Sequence, residues 1–85
     1  MVMKELLEVI MKRAREIQAE KQAKNHDDFL TAENLWFDAG IASRAMQYKN
    51  DGTFKRALNN IRHWIYELDD KKLIEAYVEL ERKAF

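Results

Sequence analysis

The chain contains no proline and only two glycines, Gly40 and Gly52, in 85 residues. Tight turns and left-handed backbone draw heavily on those two residue types, so a chain nearly without them has few places to reverse direction. Leu, Ala, Glu, Lys and Arg dominate the remainder, and these side chains lose little on entering a helix. A β-meander would need many more turn residues than are present, and the expected fold class is all-α.

Apolar spacing divides the chain into helices. Met3, Leu6, Leu7, Ile10, Ala14 and Ile17 recur at steps of three and four and define a first helix. The stretch after Ile17 keeps helix propensity to Lys24 but offers nothing larger than alanine to a core, so its last two turns are expected in solvent. Asn25, His26, Asp27 and Asp28 read as a turn and cap. Phe29 to Asn50 is apolar or small nearly all round, with one stripe of Leu35, Ala39, Ala42 and Met46 and a second of Phe37, Ile41, Ala45 and Tyr48. A straight helix through Gly40 would leave Trp36 on a polar face. Either the helix breaks at Gly40 or Trp36 meets a partner. Asn50, Asp51 and Gly52 signal a turn, with Thr53 as N-cap of a third helix lined by Phe54, Leu58, Ile61, Ile65 and Leu68, where Trp64 widens the apolar stripe and is expected in the core. Asp69 and Asp70 open a last helix carrying Leu73, Ile74, Tyr77, Val78 and Leu80 to about Arg82.

Eighty-five residues suit one domain spanning 1–85, since two units would each lack a core. The expected architecture is a single-domain three- or four-helix bundle with a C-terminal antiparallel helical hairpin, because the link between the last two helices is very short. So small a core leaves apolar surface to cover, which makes a homodimer the expected state. No cysteine is present, so disulfides and thiolate zinc sites are ruled out and the cytoplasm is the expected location. Lys4, Glu5 and Glu8 interrupt the apolar start, which reads as neither signal peptide nor membrane span.

Few residues point to chemistry. His63 and Glu67 lie one helical turn apart, a spacing able to chelate a metal, but His63 sits on a polar face beside Lys55, Arg56, Asn59 and Arg62, where solvation explains it. His26 with Asp27 and Asp28 reads as a cap. There is no GxSxG elbow, no glycine-rich phosphate loop and no Cys/His pair. The expectation is therefore no enzyme, no cofactor and no metal.

Fifteen basic and fifteen acidic side chains cancel, which argues against binding polyanions through bulk charge. Between Arg44 and Arg62, however, Arg44, Lys49, Lys55, Arg56 and Arg62 face a single acid, Asp51. The stretch from Thr31 to Arg44, with Gly40 at its turn, resembles the helix-turn-helix of phage-repressor-type regulators. The resemblance implies a DNA-binding unit over residues 31–65, with Ser43, Arg44 and Gln47 toward base edges and Lys49, Lys55, Arg56 and Arg62 supplying its basic surface. Bulky Trp36 in place of a small residue, Lys49 in place of a buried apolar one, and overall neutrality depart from that pattern. The leading expectation is a small helical protein-interaction module with Trp36, Phe37, Arg44, Tyr48 and Tyr66 as contact residues. In size and style the chain is similar to phage or mobile-element accessory and inhibitor proteins, which bind a protein partner and modulate it.

Overall fold

Helix formers with three- and four-residue apolar steps fold as the sequence implies, into four helices. The computed structural model describes residues 1–21 and 26–84. It comprises α1, Met3–Lys21; α2, His26–Gln47; α3, Asp51–Leu68; and α4, Lys71–Ala84. No strand occurs among the described residues.

The core is built from Leu6, Leu7, Ile10, Ala14 and Ile17 of α1, Leu35 of α2, Leu58, Ile61 and Ile65 of α3, and Leu73 and Leu80 of α4, none more than 2% exposed. Each such large side chain contributes roughly 1.5–3 kcal/mol by leaving water. What α2 adds besides Leu35 is alanine: Ala32, Ala39 and Ala42 are all buried in the core. Small side chains along a contact let neighbouring helices approach closely, and α2 packs against both α1 and α3. Tyr77 of α4 is also buried, and its hydroxyl is pushed up to about 12, first by burial and then by the neighbouring Glu81 carboxylate.

Cross-helix contacts fix the directions. Gln18 Nε2 donates to the Phe29 carbonyl at 3.3 Å and Arg15 meets Glu33 at 2.7 Å, while Met11 lies across from Gly40, so α1 and α2 are antiparallel. Trp64 Nε1 donates to Asp38 Oδ2 at 2.7 Å between α3 and α2. Arg13 meets Asp70 at 2.8 Å and the Met1 ammonium meets Glu79 at 3.7 Å, which sets α4 antiparallel to α1. Although α3 and α4 are joined by the shortest of links, α4 packs chiefly on α1 and less on α3.

Several local expectations are revised. The second helix begins at His26 rather than Phe29, placing Asp27 and Asp28 in its first turn, where carboxylates favour the exposed amide groups. The turn expected at Asn25 lies outside the described residues. In α1, Gln18 is buried rather than solvated, because its amide bridges Arg15, Glu33 and the Phe29 carbonyl. Gly40 does not break α2, which runs through it with no positive φ. Its neighbours Ala39, Ile41 and Ala42 pack as helix and outweigh the roughly 1 kcal/mol that glycine costs there. The break at Gly40 that a helix-turn-helix would need, the alternative implied by the resemblance, is therefore not formed.

The turn between α2 and α3 also differs. Lys49, not Gly52, adopts the left-handed conformation (φ 58°). The Lys49 amide donates to Met46 and the Asn50 amide to Ala45, a paired closure of the end of α2. The Asn50 side chain then accepts from the Thr53 amide at 3.2 Å, so Asn50 rather than Thr53 is the N-cap of α3. At the α3–α4 link, Asp69 is left-handed (φ 54°) and its amide closes on the Ile65 carbonyl. Asp70 Oδ2 caps α4 by accepting from the Leu73 amide at 3.1 Å. The same carboxylate receives two bonds from Arg13, at 2.8 and 3.1 Å.

Two outcomes follow for stability. A Cβ at Gly40 would meet only Met11 Cε, at an ordinary 3.9 Å. Gly40→Ala should therefore stabilise the fold by about 1 kcal/mol, raising Tm by about 4–8 °C in calorimetry; a lowered Tm would contradict a continuous α2. The Arg13 guanidinium, aided by the Leu73 amide and opposed by desolvation, holds the Asp70 carboxyl below its ordinary range. A lowered pKa adds stability above the unfolded value of about 4 that is lost as pH falls through the folded one. Asp70→Asn should cost about 2 kcal/mol at neutral pH. Its deficit against wild type should shrink on acidification below about pH 4 in urea titrations, and a deficit independent of pH would show that the charge is not what matters.

Candidate functional site

Helical geometry places Leu30, Asn34, Phe37, Ile41 and Arg44 along one line of α2, and Tyr48, just past its end with its amide bonded to the Arg44 carbonyl, continues that line, at alternating steps of four and three. That line lies on the opposite side from Ala32, Leu35, Ala39 and Ala42, which face the core. The outward line carries large apolar side chains that the fold leaves uncovered: Phe37 is 56% exposed, Tyr48 76% and Leu30 46%, with Ile41 half-buried. Aligned exposed side chains of this size on one helix form a patch rather than isolated surface residues. At its C-terminal end Ile41, Arg44, Ala45 and Tyr48, with Asn50 and Thr53 from the turn into α3, line a hollow of about 350 Å³.

Trp64 of α3 is tied to α2 through Asp38. Expected in the core, it is instead half-buried at the α2–α3 seam, because its indole N–H needs an acceptor and finds one in Asp38. The Trp36 indole is also half-buried and packs against the core, and the Arg15 guanidinium lies 3.9 Å from its ring centroid. An unbroken helix thus protects Trp36 with a cation from α1 and needs neither a break nor a partner. Arg15 is itself held by Gln18 at 2.6 Å and Glu33 at 2.7 Å. Hydrogen bonds from Gln18, then from Arg15, hold the Glu33 carboxyl below its usual range.

The remaining expected contact residues do not gather at one place. Tyr66 is exposed on α3, beside a separate shallow hollow lined by Asn59, Arg62, His63, Tyr66 and Glu67, with the Arg62 guanidinium 5.9 Å from its ring. His63 Nε2 lies 3.4 Å from Glu67 Oε2. Among the described residues no group of three or more His, Cys, Asp or Glu is placed to hold a metal. Of the basic set, Arg44 belongs to the outward face of α2, whereas half-buried Ser43 and exposed Gln47 border a hollow shared with Lys4 of α1. Lys49 closes the end of α2, Lys55 and Arg56 are exposed early on α3, and Arg62 lies beside Tyr66. These side chains are thus distributed over α2, the turn that follows it and α3. No helix is long and apolar enough among the described residues to cross a membrane.

Sequence reasoning placed Phe37, Arg44 and Tyr48 at the site and missed Leu30. The signal was present in the four-three alternation that continues from Leu30 to Tyr48, overlaid on the inward line of the same helix. No family model, curated protein or solved structure matches the chain, so geometry alone carries the functional reading. If Arg15 covers Trp36, Arg15→Ala in a Trp64→Phe background should red-shift the remaining indole emission. It should also cost about 0.5–1 kcal/mol. An unshifted spectrum would show that the guanidinium does not shield the ring.

Proposed function

We propose that this protein is an interaction module that binds another protein chain through the outward face of α2, with Phe37, Ile41 and Tyr48 as apolar contacts and Arg44 as the charged one. The observation that carries this reading is the alignment of exposed Leu30, Phe37 and Tyr48 with half-buried Ile41 on and just beyond a helix whose opposite side is already packed against α1 and α3. Nothing in the fold of this chain requires Phe37 or Tyr48 to be large or aromatic, since neither fills the core. Aromatic residues and arginine are the side chains most often found at the energetic centre of protein interfaces. Mounting them on a helix fixes their spacing and reduces the ordering that binding would otherwise require.

The test is site-specific photo-cross-linking in cell extract. A benzophenone side chain at position 37 or 48 should give discrete protein adducts, to another copy or to a different protein, and one at exposed Glu75 of α4 should give far fewer. Equal labelling from α4, or none from α2, would overturn the assignment.

A further inference from the structure

We infer that α4 is exchangeable between two copies of this chain: Asp69 is its hinge, and the α4 of each copy completes the core of the other. The exchange concerns the contact between α1 and α4 and does not depend on the α2 face.

The way α4 is held gives the first reason. Leu73, Ala76, Tyr77 and Leu80 are its buried side chains. Arg13 of α1 grips Asp70 at one end of the helix, and the Met1 ammonium meets Glu79 toward the other. By contrast α3, which precedes α4 in the chain, touches it less than α1 does. These contacts depend on where α4 lies against α1 and not on which chain supplies it. An α4 arriving from a second copy restores the same buried side chains and the same ion pairs, and two-fold symmetry makes the trade twice, which closes the assembly. With only 14 residues, a released α4 is too short to stand as a helix in water and has to find such a place.

The link supplies the second reason. Asp69 and Asp70 alone separate α3 from α4, and Asp69 stands at φ 54°, in the left-handed region that disfavours side chains. Neither glycine nor proline occurs there, so no residue of the link stops a helix from running through it. Returning the two aspartates to helical values relieves Asp69 and joins α3 and α4 into one helix from Asp51 to Ala84, about 50 Å long. Such a helix carries α4 off its own core and toward that of another copy. Short connections under strain are the ones that invite exchange. Against it stand the lost cap from Asp70 to the Leu73 amide, the gathering of Asp69 and Asp70 from both copies near the crossing, and the freedom given up on association. The closed monomer is therefore the form at low concentration and the exchanged dimer the form at high concentration. Since α4 makes no contact with α2 among the described residues, exchange does not draw on the α2 face, and the dimer carries two of them.

Isotopically light and heavy chains, unfolded together and refolded at high concentration, provide the test. A carbodiimide joins the Met1 ammonium to the Glu79 carboxylate, which lie 3.7 Å apart. Linked peptides from the dimer fraction should include light–heavy pairs, because the two residues then come from different chains, whereas the monomer fraction should yield only single-label pairs. Asp69→Gly and Asp69→Ala both remove the carboxylate and differ in backbone preference: glycine accepts the left-handed turn, while alanine favours the continuous helix. Sedimentation equilibrium should give Asp69→Ala a dimer association constant at least about tenfold above that of Asp69→Gly, with equal helical circular dichroism. Equal association of the two folded variants would overturn the hinge. A dimer with single-label links alone would overturn the exchange, since each copy would have kept its own α4, and so would a wild-type chain that refolds as monomer at every concentration. If Asp69→Ala does not fold, the isotope result on the wild-type chain decides by itself. Photo-adducts at positions 37 and 48 are read in a separate experiment, so failure of the exchange leaves the α2 assignment standing.

Discussion

The alanine line of α2 is the constraint on which the rest of the molecule depends. Ala32, Ala39 and Ala42 are buried where α2 meets α1 and α3. A helix contributing methyl groups fills little volume, so its neighbours must bring the bulk. They do: Leu6, Leu7, Ile10 and Ile17 come from α1, and Leu58, Ile61 and Ile65 from α3. A central helix lined with leucine would hold α1 and α3 further apart, and side chains already interdigitated at native density would not tolerate the added volume without strain.

The same constraint explains the outward face. In an ordinary amphipathic helix the large apolar side chains point inward and the polar ones outward. In α2 the inward line is mostly small, and Leu30, Phe37, Ile41 and Tyr48 are carried on the outside. Hydrophobic character is therefore spread around α2 instead of concentrated on one side. Such a helix has two apolar faces: the inward one is covered by α1 and α3, while the outward one has no cover among the described residues.

The helix boundaries and the two faces were not equally legible in the sequence. For α3, a single stripe at steps of four and three gave the core positions Leu58, Ile61, Ile65 and Leu68 directly, because only one side of that helix is apolar. In α2 two stripes overlap, and periodicity alone does not say which of them is buried. Trp36 shows why: its cover comes from Arg15, twenty-one positions earlier, and a charged side chain on the outer edge of α1 gives no sign in sequence that it will stack on a distant ring. Gly40 and Gly52 misled for a related reason. Glycine is permitted to turn and is not compelled to, so the left-handed positions fell instead to Lys49 and Asp69, where hydrogen bonds back to the preceding helix repay the local strain.

Those two left-handed residues show how a chain without proline still reverses. Each follows the end of a helix, and in each case the next residue caps the helix that follows: Asn50 through Thr53 and Asp70 through Leu73. One pair of residues thus closes one helix and opens the next, which keeps both links short. At the second link the capping carboxylate also grips Arg13, so the direction of α4 is set from α1 as well as from the turn. That anchor holds α4 against α1, and among the described residues α4 makes no contact with α2. With α4 bound to a different face, Phe37 and Tyr48 keep the exposure that the turn after α2 and the packing of α1 and α3 leave them.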